Sequence, residues 1–143
     1  SDVNTGGSIT GIYTVLADGD DGNDPVVDSA RSILDGHIVL SRAMAERAVY
    51  PAIDISKSIS RVMNDIVPQH HQQAARVLRR HLATYEENRD LVLMGAYRSG
   101  SDPAIDAAIA YQPAIMEFVR QDTHQMVSLA DAELELTGVF GDA

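Results

Sequence analysis

The hydrophobic pattern changes character at Pro68. Before it, short runs rich in β-branched residues are separated by turn residues, and residues 8–16 and 37–41 each predict a strand. Around these strands, the pattern predicts a helix from Pro25, a helix over residues 42–48 and an extended segment over residues 50–54. Strand and helix in quick succession are typical of the end of a parallel α/β sheet.

Residues 1–67 are too short to form such a sheet alone. A parallel sheet is normally covered on both faces and contains more strands than this segment supplies. We therefore expect residues 1–67 to be the end of an incomplete α/β domain whose beginning lies upstream.

Residues 68–143 instead follow a helical period. The apolar residues of the first helix, over 69–97, are Ala74, Val77, Leu78, Leu82 and Tyr85. A second helix begins at Pro103 behind an N-cap at Ser101 or Asp102. Pro113 is expected to begin a further short helix, and residues 123–137 form the last one, with Met126 facing inward. The second half is thus predicted to be an all-helical domain, which makes the chain mostly α overall.

Composition excludes several classes of protein. With 21 acidic residues against 11 Lys and Arg among 143, the net charge is −10, which disfavours nucleic-acid binding. Cysteine is absent, so disulfides and thiol catalysis are excluded. No apolar run approaches the ~20 residues needed to cross a bilayer. We expect a soluble cytoplasmic protein that is peripheral to a membrane at most.

Metal binding is not expected. The acidic cluster at Asp18, Asp20, Asp21 and Asp24 lacks the glycine and the bidentate Glu that a calcium loop requires. The adjacent histidines of the first long helix project about 100° apart, so they cannot both bind one ion. The histidines of the helical half are therefore predicted to lie on helix surfaces.

A nucleotide site would be incomplete in this chain. The Lys57-Ser58 pair lacks the glycines of a phosphate-binding P-loop, and no Gly-x-Ser-x-Gly sequence occurs. Tyr50, held by Pro51, either stacks on a planar base or is a half-buried packing residue. Arg61, at the end of the run Ser-Ile-Ser-Arg, either reaches a phosphate across an interface or forms a structural salt bridge.

Several sequence runs resemble the flagellum-specific ATPase of the type III export apparatus, which belongs with the rotary F-type and V-type ATPase subunits. These runs are Gly7-Ser8-Ile9-Thr10, Tyr13-Thr14-Val15-Leu16, Gly19-Asp20-Asp21, Asp24-Pro25, Asp28 to Arg42, Tyr50 to Asp54, Ser58 to Arg61, Gly95-Ala96-Tyr97, Gly100 to Pro103 and Phe118 to Gln121. The likeness covers about residues 7–121 and is most specific over 28–61. It implies the C-terminal third of a homohexameric P-loop (RecA-like) ATPase.

The resemblance also implies roles for single residues. Tyr50 would stack against adenine with Pro51 beside it, and Phe118 and Gln121 would close the base pocket from the helical domain. Arg61 would be an arginine finger that acts on the γ-phosphate held by the neighbouring subunit. The Walker A and Walker B segments would lie upstream of Ser1. ATP with Mg²⁺ would therefore bind the full-length parent, whereas the fragment alone would bind none and be inactive.

The resemblance implies partners as well. They are neighbouring ATPase subunits, a central stalk protein, regulatory and export-gate proteins, and complexes of export substrates with chaperones, at the cytoplasmic face of the export apparatus. A rotary synthase subunit is disfavoured because the acidic stretch of its C-terminal helices is missing, and a flagellar system is favoured over an injectisome. The alternative is a non-enzymatic helical module that docks protein partners.

Overall fold

The computed structural model describes residues 6–16 and 24–141. Its elements in chain order are α1 (Pro25–Ile33), β1 (Gly36–Leu40), α2 (Arg42–Glu46), β2 (Ile53–Ser60), α3 (Met63–Ile66), α4 (Gln69–Leu93), α5 (Pro103–Val119) and α6 (Leu129–Phe140). The chain divides into two units between Leu34 and Asp35, and only α1 belongs to the first. In the second unit we call residues 35–67 the hairpin region, and α4, α5 and α6 the helical bundle.

The first unit contains one well-capped helix. Asp24 accepts hydrogen bonds from the backbone N–H groups of Val26 and Val27 at 2.7 and 3.3 Å, and Pro25 occupies the first turn of α1. The strand predicted over residues 8–16 is wrong, because that segment carries no strand and is exposed. A strand is stable only beside a partner that bonds its backbone groups, and none of the described residues pairs with this segment.

The hairpin region is built on an antiparallel pair of strands, β1 and β2. The parallel arrangement predicted from the order of elements is therefore wrong for this pair. A parallel pair needs a crossover helix that returns the chain along the sheet. The helix between these strands, α2, has five residues and spans only about 8 Å. It turns the chain back instead of carrying it across.

β2 is irregular at its centre. Gly36 faces Ser60 and Val39 faces Asp54, so four residues of β2, 55–58, stand opposite the single residue Ile38 of β1. This is an extended β-bulge, which bends a strand and re-aims its side chains. The start of β1 also requires glycine, because a Cβ at position 36 would lie 2.7 Å from the Ile59 carbonyl oxygen.

The hydrophobic core lies in the helical bundle, where α4 packs against both α5 and α6. Its buried members are Ala74, Val77, Leu78, Leu82, Ile115, Leu136 and Phe140. The predicted apolar face of α4 is therefore confirmed at Ala74, Val77, Leu78 and Leu82. Ile55, which lies in the bulge of β2, packs against this core and links the hairpin region to the bundle.

An aromatic stack runs through the bundle. The His81 ring stacks on Tyr111 with 4.5 Å between centroids, and Tyr111 lies 5.8 Å from Phe140. His81 is buried, so the prediction that the histidines of this half lie on helix surfaces is wrong for it. An imidazole stacked on an aromatic ring in the core is removed from water, and this burial lowers the pKa of His81.

Two predicted helix boundaries also change. α5 continues through Pro113, which costs a backbone hydrogen bond but keeps the buried Ala108 and Ile115 on one element. α6 begins only at Leu129, because Ser128 caps it by accepting a hydrogen bond from the Asp131 N–H at 3.1 Å. Met126, predicted to face inward, is 97% exposed in the preceding loop.

The described structure is mostly helical, with a small two-stranded sheet ahead of a helical domain. This matches the predicted fold class. Within the described ranges, no helix combines the length and the apolar character that crossing a membrane requires.

Candidate nucleotide-facing site

Tyr50 and Pro51 lie in the turn between α2 and β2, joined by a cis peptide bond. The Tyr50 side chain is 55% exposed, and its hydroxyl donates a long hydrogen bond of 3.4 Å to the Ala45 carbonyl. Pro51 forms part of the wall of an apolar cavity of about 180 Å³. One side of this turn therefore contacts apolar side chains, while the aromatic ring remains accessible at the surface.

Gln121 meets this turn from the helical domain. Its backbone N–H donates to the Tyr50 carbonyl at 2.8 Å, just beyond the C-terminal end of α5. Its side-chain amide donates to the Gln125 carbonyl, also at 2.8 Å, which folds the loop after α5 back on itself. Two segments that are far apart in the sequence, both predicted to form the base pocket, are thus joined directly.

Phe118 occupies the other side of the same segment. Its ring makes an edge-on contact with Phe140, with 6.3 Å between centroids, and it packs against the hydrophobic core. It also lines a groove of about 540 Å³ between the end of α5 and the start of α6, together with Gln121. Phe118 therefore anchors the segment that carries Gln121 to the bundle.

Arg61 directly follows β2, at the opposite end of that strand from Pro51. Its backbone N–H donates to the Asp35 carbonyl at 2.8 Å, which fixes the point where its side chain leaves the hairpin. The residue is exposed. A guanidinium group in such a position carries a permanent charge at the surface, on a backbone held by the sheet.

The bulge before Arg61 is held by its own polar side chains. The Ser58 hydroxyl donates to the Asp54 carbonyl at 2.6 Å and accepts from the Val39 N–H at 3.0 Å. The Asp54 carboxylate accepts from the Lys57 N–H at 3.1 Å and pairs with the Lys57 ammonium at 3.3 Å. Ser58 thus replaces a backbone partner of β1 at the point where the regular ladder is interrupted.

Sequence reasoning missed two contacts that join the hairpin region to the bundle. Arg79 of α4 donates from Nη2 to the Ser58 carbonyl at 3.0 Å, and Arg47 pairs with Glu86 at 3.2 Å. Both arginines come from segments that the pattern predicts as helical, where exposed charges are common. No signal in the sequence distinguishes them from the other arginines of the chain.

The described residues offer no group of three or more His, Cys, Asp or Glu side chains suited to a metal ion. Asp18, Asp20 and Asp21 of the acidic cluster lie outside the described residues. His70 and His71 both approach one oxygen of Glu133, at 3.8 and 3.5 Å. These contacts join the start of α4 to α6.

Two family models match the chain. Residues 67–138 match the C-terminal domain of the T3SS EscN ATPase, and residues 1–60 match the nucleotide-binding domain of the ATP synthase alpha/beta family.

Relatives from both kinds of type III system are similar to this chain. The flagellum-specific ATP synthase of Salmonella typhimurium is 47% identical over 96% of the chain and 30% of its own length. The type 3 secretion system ATPase of Xanthomonas euvesicatoria is 50% identical over 96% of the chain and 31% of its own length. The chain therefore spans about 30% of the length of these relatives.

Solved structures of type III secretion ATPases are also similar to this chain. The assembled ATPase EscN of enteropathogenic E. coli superposes with a TM-score of 0.88 at 44% identity, over 93% of this chain and 32% of that one. EscN in complex with its central stalk EscO gives a TM-score of 0.75 at 41% identity, over 81% of this chain and 29% of that one. This chain therefore belongs to the family of flagellum-specific and type III secretion ATPases.

Proposed function

We propose that this chain is the C-terminal part of a homohexameric ATPase that drives type III protein export. In this proposal it supplies an arginine finger, one wall of the adenine pocket and a helical domain that faces substrates. The sequence contains no P-loop, so the phosphate cradle and the Mg²⁺ of the full-length ATPase belong to its upstream part. The chain alone is then catalytically incomplete.

The observation that carries the adenine pocket is the hydrogen bond from the Gln121 N–H to the Tyr50 carbonyl. It joins the residue that carries an exposed aromatic ring to an exposed polar loop. Planar bases are recognised by such a combination, in which a ring supplies stacking and a nearby polar group discriminates the base edge. Pro51 restricts the backbone beside the ring, and Phe118 anchors the Gln121 segment from behind.

The proposed role of Arg61 follows from charge and position. Negative charge is spread over the phosphoryl oxygens in the transition state, and a guanidinium group supplied by a neighbouring subunit stabilises it. Arg61 is exposed at the end of β2, and its own backbone N–H is hydrogen-bonded to the Asp35 carbonyl. A finger needs this combination of a fixed base and a side chain at the surface.

We further propose that the helical domain meets a central stalk protein, export-gate and regulatory proteins, and complexes of substrates with chaperones. This places the protein at the cytoplasmic face of the export apparatus. The stalk proposal is supported by the similarity to EscN, whose complex with its central stalk EscO has been solved. Flagellar and secretion relatives match at comparable identity, so the flagellar assignment stays a prediction.

The decisive experiment replaces Arg61 in the full-length ATPase. We expect Arg61→Ala to lower kcat by about 10³-fold or more, because a finger in trans contributes about 10³–10⁵ to the rate. Nucleotide binding should be retained, and wild-type turnover per subunit should rise with protein concentration as the ring assembles. ATP hydrolysis and nucleotide binding are measured on the same preparations.

Two variants serve as controls. Arg61→Lys keeps the charge but not the two-pronged geometry and should recover only part of the rate. Arg76→Ala removes an exposed arginine of α4 and should leave kcat unchanged. Normal hydrolysis by Arg61→Ala would assign Arg61 to a structural ion pair instead.

The alternative of a non-enzymatic docking module makes a different prediction about the gene. It requires a natural start close to Ser1, whereas the ATPase proposal requires an upstream segment with a P-loop. The match of residues 1–60 to a nucleotide-binding domain supports the ATPase proposal.

A further inference from the structure

Among the described side chains of α4, Arg79 donates a hydrogen bond to the strand that precedes Arg61. Its Nη2 donates to the Ser58 carbonyl at 3.0 Å. Its neighbours Val77 and Leu78 are buried in the core, so the backbone from which Arg79 projects is fixed within the bundle. The contact therefore joins a rigid helix to an irregular strand.

Ser58 joins the bulge to both β1 and α4. Its hydroxyl bridges the two strands, by donating to Asp54 and accepting from Val39, and its carbonyl receives Arg79. A bulged strand lacks part of its regular ladder, so side-chain contacts help to select one conformation. Among the described residues, Arg79 adds such a contact to Ser58 from outside the sheet.

Only Ile59 and Ser60 separate this point from Arg61. Regular pairing resumes there, with Ile59 opposite His37 and Ser60 opposite Gly36. The carbonyl of Lys57, also inside the bulge, lies 3.1 Å from His37 Nε2. A shift of the bulge therefore changes the register of a two-residue ladder that ends at the proposed finger.

We propose that Arg79 is a positioning residue for Arg61, which holds the bulge of β2 so that the finger leaves the strand at the correct place. The inference rests on the proposed function of Arg61. It assigns the helical domain a part in catalysis, because a movement of α4 against the hairpin region reaches the finger through this contact. Arg79 itself touches neither nucleotide nor reacting atoms in this mechanism.

The test uses the full-length ATPase with Arg79→Met, which keeps the aliphatic stem and removes the donor. We expect kcat to fall about tenfold, the size of effect given by losing one hydrogen bond from a charged donor. KM and ring assembly should stay unchanged. Arg79→Lys should restore most of the rate, because one ammonium N–H is sufficient for one carbonyl.

Two further measurements separate positioning from general stability. Hydrogen exchange of the Arg61 amide, which is bonded to Asp35, should quicken in Arg79→Met. Arg76→Met, on the same helix and also exposed, should change neither kcat nor exchange. In the Arg61→Ala background, Arg79→Met should have no additional effect on the residual rate, because both changes act on one group.

The outcomes distinguish this inference from the function on which it rests. Normal turnover of Arg61→Ala removes the finger, and the inference with it. Loss of turnover in Arg61→Ala, combined with unchanged kcat and unchanged amide exchange in Arg79→Met, overturns the role of Arg79 alone. An equal loss of kcat in Arg76→Met also overturns the role of Arg79, because the loss would then come from removing any positive charge on α4.

Discussion

The hairpin region and the helical bundle are stabilised in different ways. Among the described residues, Val49 is the only buried residue of the hairpin region, whereas the other buried side chains lie in α4, α5 and α6. The hairpin region relies on backbone pairing and on polar contacts around its bulge. The residues proposed to act on nucleotide, Tyr50 and Arg61, lie in this less buried region.

This difference shows how the proposed site is held in place. A surface that must meet a nucleotide or a neighbouring subunit cannot bury its own side chains. The helical half contacts it instead, through the Gln121 bond to Tyr50, the Arg79 bond to Ser58 and the ion pair of Arg47 with Glu86. Mutations in the buried core of the bundle should therefore lower stability, whereas mutations of the exposed hairpin residues should lower nucleotide binding or turnover.

The largest effect on stability is expected from Phe140→Ala in the bundle. Phe140 is fully buried and contacts the rings of Tyr111 and Phe118. Its truncation leaves a cavity and should lower the free energy of unfolding by about 3–5 kcal/mol. Urea unfolding of the chain, followed by far-UV circular dichroism, measures this loss.

The adjacent Val139 provides the control. It is 39% exposed, so Val139→Ala should cost less than about 1 kcal/mol. Similar losses for the two variants would mean that the core does not lie where the helices meet, and the contrast between bundle and hairpin would fail.

In the hairpin region, Tyr50→Ala should weaken nucleotide binding and leave stability nearly unchanged. The full-length ATPase is expected to bind ADP about tenfold more weakly, because stacking of a base on an aromatic ring contributes about 1–3 kcal/mol. Unfolding should be nearly unchanged, since the side chain is 55% exposed. Isothermal titration calorimetry gives the affinity.

Tyr50→Phe is the matched control for this prediction. It keeps the ring and loses only the long bond from the hydroxyl to Ala45, so its affinity should stay close to wild type. If Tyr50→Ala binds ADP normally, Tyr50 is a packing residue and the adenine pocket lies elsewhere.

The helical domain was largely predictable from local signals in the sequence. Asp102 before Pro103 marks the start of α5, and the structure confirms this cap, with a 2.8 Å bond from the Ala104 N–H to Asp102. The apolar residues of α4 recur every three or four positions, so they lie on one face of the helix, and this spacing identifies the residues that are buried. The prediction that Pro113 begins a new helix was wrong, because tertiary packing of α5 outweighs the loss of one backbone hydrogen bond.

The site was less predictable because its contacts join distant residues. The patterns around Tyr50 and Arg61 left two interpretations open for each, and only the family resemblance favoured nucleotide contacts. The bulge receives a hydrogen bond from Arg79, which lies 21 residues after Ser58 on a different element. No local rule encodes such a pairing. The roles of these residues and the domain boundary at residue 67 stay predictions.

The smallest effect is expected from protonation of His81 inside the bundle. Burial lowers the pKa of His81 below its ordinary value of 6.5, and the nearby charge of Arg80 lowers it further. The unfolded chain therefore binds this proton more readily than the folded chain. Folding stability should be complete above about pH 6.5 and decrease as the pH falls through the lowered pKa.

Urea unfolding at a series of pH values, compared between wild type and His81→Phe, isolates this contribution. Phenylalanine keeps a ring to stack on Tyr111 but has no proton to bind, so its stability should depend less on pH below neutrality. The other ionisable groups of the chain are present in both proteins, so their contribution cancels in the difference. Identical pH profiles would show that His81 reaches water in the folded state, and the bundle would then be less closed than its aromatic stack indicates.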